Sequence, residues 1–186
     1  MFLKAVVFLG VVGSGSVALA QVADTVAYWN KADLFLDWFS CNASQYDERP
    51  TRSLSLQMNR WDNELFLPAD SSESIPMSIF GIGALRDVPG IDTLFTEMDM
   101  LQMQRTYVTI REANLRRAPQ CMKMRKRLRK AYYWYQLPLF SNDGSTVLFA
   151  YGYRCGRLCG HGATVICRKR ADGDWQFIRS LAGWIS

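Results

Sequence analysis

One histidine, His161, serves the whole 186-residue chain. As a catalytic base it lacks an obvious companion. A serine–histidine–acid site assembles from distant positions, but no G-x-S-x-G elbow or other nucleophile signature is present. Gly81-Ile82-Gly83 lacks the following glycine and lysine of a phosphate-binding loop. Apart from the N-terminal segment, no long apolar run occurs, so no membrane-spanning helix is expected beyond it. No cysteine stands where a lipoprotein would be cleaved and acylated.

The N-terminus is informative. MFLKAVVFLGVVGSGSVALAQ carries Lys4, an apolar run from Ala5 to Val12, and then Ala18-Leu19-Ala20. That is the charged, apolar, A-x-A order of a secretory signal peptide. The run is too short for a membrane anchor, since a spanning helix needs about 20 apolar residues. Residues 1–20 are therefore expected to be removed, leaving a mature chain from Gln21. Removing 20 of 186 residues leaves 166, which fits one domain, 21–186. A periplasmic or secreted bacterial location follows.

All five cysteines, Cys41, Cys121, Cys155, Cys159 and Cys167, lie beyond the expected cleavage point. An oxidising compartment favours bridges, and an odd number leaves one thiol over. The stretch CGRLCGHG, Cys155 to Gly162, is the densest motif. Cys155, Cys159, His161 and Cys167 offer zinc-ligand types, but the second half fits no finger spacing. A redox centre would need C-x-x-C at a helix N-terminus, whereas here the spacing is longer and the flanks read as strands. A staple needs only geometry. A three-residue reversal brings positions i and i+4 to about the 5.5 Å Cα separation of a disulfide. So short a loop contributes about 2 kcal/mol on the chain-entropy account. Cys155–Cys159 is thus the expected bridge. Cys41–Cys121 is the more plausible second pair, because Cys167 follows the apolar run Ala163 to Ile166 and suits a buried thiol. Other pairings stay open. No metal or cofactor is expected.

The charge is uneven. Asp47 to Asp99 holds ten acidic residues against four basic, and Arg105 to Lys130 ten basic against one acidic, Glu112. An exported protein is a poor candidate for a nucleic-acid partner, so anionic envelope material is the more sensible target. In KMRKRLRK, a strand would place Lys123, Arg125, Arg127 and Arg129 on one face, a candidate anion-binding edge. The plainer reading is a solvated face, or charge protecting a sheet edge.

Helical spacing predicts a helix over Val22 to Ser40, with Val22, Val26, Trp29 and Leu36 on a face that Asp33 interrupts and with Leu34, Phe35, Trp38 and Phe39 widening the apolar surface. A second is predicted over Asp92 to Arg105, capped by Asp92, with extension through Tyr107 to Leu115 and a stop at Pro119. Met98, Met100 and Met103 read as core filling rather than ligands. Leu54 to Leu67 is ambiguous between strand and helix. Asn42-Ala43-Ser44 is a glycosylation sequon that only a eukaryotic secretory pathway would use. After Lys130 four strands are expected: Tyr132 to Phe140, Ser145 to Tyr153, Ala163 to Arg170 and Trp175 to Ile185. Asn142-Asp143-Gly144 and Asp172-Gly173 supply turn chemistry between them. The fold class is α+β: a mainly helical and looped 21–130 packed on an antiparallel β-meander of about four strands, 131–186. The series Tyr132-Tyr133-Trp134-Tyr135 is most simply a strand covered on both faces, with a carbohydrate-stacking platform as the sharper alternative.

The last fifty or so residues resemble the C-terminal segment of a group of uncharacterised bacterial envelope proteins. The shared pattern falls on Pro138, Phe140, Ser141, Asp143, Gly144, Cys155, Gly156, Leu158, Cys159, Gly160, Gly162, Gly173, Trp175, Trp184, Ile185 and Ser186. The chain departs from it at Gln136, where the pattern often has serine. The resemblance implies a shared meander and no known activity. Two functional classes remain in view. One is a non-enzymatic binding or inhibitory protein, of the immunity kind, with a protein or an anionic envelope component as partner. The other is a small envelope hydrolase using His161.

Overall fold

The computed structural model describes residues 14–42, 53–55, 85–110, 117–125, 131–154, 156 and 159–185; for 14–24, 53–55, 124, 125 and 184 it describes the backbone alone. Among the described residues, two α-helices and a seven-stranded sheet make an α+β fold. Helix α1, Ser14–Asn42, is longer than its spacing predicts and runs through the expected cleavage point. Its buried stripe is Tyr28, Trp29, Ala32, Phe35, Leu36 and Phe39. These repeat at helical steps of three and four. The stripe takes up only part of the wide predicted surface: Trp29, Phe35, Leu36 and Phe39 are buried, Val26 and Leu34 are exposed, and Asp33 sits at its margin. The large rings decide the orientation, since each removes more apolar area from water than a valine does.

Helix α2, Glu97–Thr109, begins later than predicted. Asp92 lies instead in a 3-10 turn, Ile91–Thr93, which follows another, Leu85–Asp87. The cap is Thr96. Its hydroxyl accepts the Asp99 N–H at 3.2 Å, and the Asp99 carboxylate accepts the Thr96 N–H at 2.8 Å. This reciprocal pair satisfies two donors that Asp92 cannot reach. Met100 and Met103 are buried, while Met98 faces solvent. Residues 111–116, where an extension was expected, lie outside the described residues.

The strands are β1 (Ser53–Ser55), β2 (Lys123–Arg125), β3 (Tyr132–Tyr135), β4 (Leu139–Phe140), β5 (Thr146–Arg154), β6 (Gly160–Lys169) and β7 (Trp175–Ile185). Their order is β2-β1-β3-β5-β6-β7, with β4 also on β5. From β3 to β7 every pairing is antiparallel, the expected meander. The short β1 departs from it by pairing parallel with both β2 and β3. The first predicted strand is split. Tyr135 faces Tyr151 and Leu139 faces Leu148, so four steps on one side meet three on the other. The extra residue falls in Gln136-Leu137-Pro138, where proline cannot donate to the ladder. Tyr28 of α1 donates its hydroxyl proton to the freed Pro138 carbonyl at 3.0 Å.

Helix α1 covers one sheet face through aromatic contacts. Phe35 stands 5.1 Å, centroid to centroid, from both Phe149 and Trp175, and Phe39 stands 4.7 Å from Phe149. The opposite face is buried too, at Leu139, Leu148, Thr164 and Ile166. On that face Arg179, paired with Ile166, donates to the Pro89 carbonyl at 2.7 Å and fixes the 3-10 segment to β7. Two joints behave as their sequences require. Gly144 has φ 72° in the β4–β5 turn, a region that favours glycine. Asp143 there accepts the Ser141 hydroxyl at 2.6 Å and the Ser145 N–H at 2.9 Å. The Ser141 hydroxyl bond, with the Ser145 N–H second, lowers the Asp143 carboxyl to about 2.

Cys41, at the end of α1, is bonded to Cys121 with Cα atoms 5.1 Å apart. Arg117 reinforces the join, bonding Asp37 at 3.0 Å and pairing with Asp33 at 3.3 Å. The Gln120 N–H donates to Asp37 at 2.8 Å and the Cys121 N–H to the Ser40 hydroxyl at 3.2 Å.

Candidate functional site

The residues singled out by sequence fall at separate places. Cys159 is disulfide-bonded, whereas Cys155 lies outside the described residues. Cys167 is a free, buried thiol on β6, and burial raises it to about 12. His161 also lies on β6, its ring 5.5 Å from that of Tyr153. Its register partners are Tyr153 and Ile185. Neither supplies a carboxylate to orient the imidazole or an aliphatic hydroxyl or thiol for it to activate. Among the described residues no group of three or more histidine, cysteine or acidic side chains could hold a metal ion.

Of the candidate anion-binding edge, Lys123 and Arg125 belong to β2, at one end of the sheet order, and Lys123 is exposed. Arg127 and Arg129 lie outside the described residues. In the aromatic series, Tyr133 and Tyr135 are buried against the α1 side: Tyr135 stands 5.8 Å from Phe39, and Tyr133 4.9 Å from Tyr153. Desolvation raises the Tyr135 phenol far above its ordinary value. Trp134 turns the other way and covers Gly152, its register partner, so tightly that a Cβ there would collide with the indole. With alternate rings committed to the interior, the series does not present a continuous stacking platform.

A cleft that sequence spacing does not reveal lies between α1 and α2. It encloses about 380 Å³, and the segment after β4 closes one side. Its apolar lining is Ala27, Ile110, Phe140 and the Tyr28 ring. The Tyr28 hydroxyl is already used on Pro138, and burial raises its pKa well above the ordinary value. The polar lining includes Lys31, Gln102, Arg105, Thr109 and Asn142. Among the described residues, Lys31 and Arg105 are the only charged ones lining the cleft.

Helical geometry places these groups. Lys31 follows Tyr28 and Ala27 at helical steps on α1, so it shares their side of the helix. Gln102, Arg105, Thr106 and Thr109 repeat at three and four along α2. The Asp99 carboxylate accepts the Asn142 backbone N–H at 2.7 Å and thereby ties the start of α2 to the β4–β5 turn. Burial raises the Asp99 carboxyl, but N–H bonds from Asn142 and Thr96 outweigh it and leave the net shift downward. The hydrogen-bonding capacity of two carboxylates at the start of α2 and in the β4–β5 turn is already used: Asp99 by Asn142 and Thr96, and Asp143 by Ser141 and Ser145. Neither Lys31 nor Arg105 forms an ion pair among the described residues. The side chains of Gln102, Thr109 and Asn142 make no hydrogen bond there either.

A smaller, more apolar cleft of about 140 Å³ lies over β5 to β7 beside Trp38 and Phe39, with Cys167 in its wall. Compared with known proteins, the chain matches no family, and no curated protein or solved structure matches it.

Proposed function

We propose that the chain is an exported, periplasmic or secreted protein that acts by binding rather than catalysis, through the cleft between α1 and α2. The observation that carries this reading is the pair of cations, Lys31 and Arg105, lining one cavity without an ion-pair partner among the described residues. Two like charges that line the same cavity and form no ion pair among the described residues favour occupation by an anion. The export component rests on Lys4, the apolar run and Ala18-Leu19-Ala20. The Cys41–Cys121 disulfide is compatible with it. Inhibition of a toxin or hydrolase is one form such binding takes, with the ligand or partner presenting an anionic group to the cleft. Membership of the envelope-protein group suggested by the C-terminal pattern is part of the same proposal.

The test is complementation of a deletion strain. The double substitution Lys31→Gln/Arg105→Gln should abolish the cellular function, and His161→Ala should leave it intact. The opposite result would replace binding with a hydrolase using His161. Intact-mass analysis of the exported material should show a chain beginning at Gln21. A full-length mass in the soluble periplasm would refute cleavage there.

A further inference from the structure

Resting on the reading of this cleft as the binding site, we infer that its ligand is an acidic sugar, a hydroxyl-rich ring bearing a carboxylate. Three features of the lining converge on that class. Lys31 and Arg105 supply positive charge, and no carboxylate stands among the described lining residues. Gln102 and Asn142 carry amides, each with a donor end and an acceptor end, and Thr109 carries a hydroxyl that does both. None of these three side chains is used within the described structure.

A bare inorganic anion needs donors only, and would leave the amide oxygens idle. A hydroxylated ring uses donors and acceptors together, because every sugar hydroxyl gives one hydrogen bond and accepts others. The third feature is the apolar lining. Ala27 and Ile110 line it together with the buried Tyr28 and Phe140 rings, which stand 6.1 Å apart in an edge-on arrangement and reach the cleft only at their margins. An apolar lining of this kind suits the C–H groups of a pyranose, which an inorganic anion does not possess. The volume, about 380 Å³, lies in the range of small-molecule sites.

The cations also set the expected strength. Lys31 and Arg105 are both exposed. Their attraction is therefore screened by salt, and binding should weaken as ionic strength rises. Polar contacts to an uncharged sugar are not screened in this way. The anionic and hydroxyl contributions are thus separable by experiment. The acidic sugar could be free or stand at the end of a polysaccharide, and both present the same chemistry.

The experiment is titration calorimetry of the folded, oxidised protein with sodium glucuronate, glucose, sodium acetate and inorganic phosphate, at low and at physiological salt. Glucuronate should bind at least tenfold more tightly than each of the other three. Arg105→Gln and Lys31→Gln should each weaken glucuronate binding at least fivefold while leaving the melting temperature within a degree or two. Asn142→Ala should weaken glucuronate and leave acetate unchanged. A glucuronate-terminated oligosaccharide that binds tenfold better than the monosaccharide supports a polymer end as the source, and equal binding supports the free sugar. Acetate or phosphate binding as tightly as glucuronate would reduce the site to a plain anion site and overturn the inference. So would equal binding of glucose, indifference to both cation substitutions, or no glucuronate binding at all. Loss of cellular function on replacing Lys31 and Arg105, with no glucuronate binding in the calorimeter, would sink the sugar assignment and leave the binding role standing.

Discussion

Replacing Cys41 and Cys121 together by alanine should lower stability by about 4.5 kcal/mol. The bridge spans 80 positions, and on the chain-entropy account closing so long a loop removes that much freedom from the unfolded ensemble. For a chain of this length each kcal/mol moves the melting temperature by about 2–4 °C, so the fall should be roughly 9–18 °C. The folded state has other means of holding the same join. Arg117 bonds Asp37 and pairs with Asp33, the Gln120 N–H bonds Asp37, and the Cys121 N–H bonds Ser40. These contacts are partly exposed, and each is weak alone. Together they should keep the segment at 117–121 on α1 without the sulfur bridge. The loss should then appear chiefly in the unfolded state. Urea unfolding checks this with two numbers. The free energy should fall by about the stated amount, and the m-value should rise, because a chain without the cross-link exposes more surface when it unfolds. A loss under about 1 kcal/mol, or an unchanged m-value with altered amide signals at Asp33, Asp37 and Gln120, would refute the reasoning. The second pattern would mean that the bridge shapes the native join rather than restricting the unfolded chain.

Gly152→Ala should cost about 1–3 kcal/mol, because the new methyl meets the Trp134 indole inside a packed sheet; thermal melting should show the fall, and combining it with Trp134→Leu should recover part of it. Asp143→Asn should cost about 1 kcal/mol at neutral pH, a value discounted for the exposure of this turn. The Asp143 carboxyl is held at about 2 when folded against an ordinary 3.8, so its contribution is complete above about pH 4 and disappears as the pH falls toward 2. Denaturant titrations from pH 6 to pH 2 should therefore bring wild type and variant together at the acid end, and a gap that persists at pH 2 would contradict the assignment.

The strands from Tyr132 onward were legible because their signals are local. Alternation, Asn142-Asp143-Gly144 and Asp172-Gly173 act within a few residues, and the observed ends lie close to the expected ones. The split at Gln136-Leu137-Pro138 had a visible cause in Pro138. The parallel β1–β2 and β1–β3 pairs did not, since three residues show no period and parallel partners lie far apart in sequence. Helix α1 was readable as a helix with Trp29, Phe35, Leu36 and Phe39 on its apolar surface, but the exposure of Val26 and Leu34 was not, because the edges of so wide a surface are settled only once Phe149 and Trp175 are in place. The cap of α2 could have been read more closely. Thr96 and Asp99 stand at the spacing of a reciprocal cap, whereas Asp92 has Phe95 at that position. The α1–α2 cleft was invisible. Lys31 and Arg105 are ordinary surface cations in the one-dimensional chain, and only tertiary packing gathers them beside Asn142.

The aromatic stripe of α1 has a consequence for synthesis. The rings that cover Phe35, namely Phe140, Phe149 and Trp175, lie 105 to 140 positions later in the chain. At a translation rate of about 5–20 residues per second, the last of them emerges roughly 7–28 seconds after Phe35. Cys121 emerges before any of the three. A nascent chain paused near residue 130 therefore carries both partners of the 80-position bridge and an aromatic helix face with none of its native sheet cover. That intermediate, rather than the finished fold, is the form most prone to self-association and the one a chaperone would have to shield.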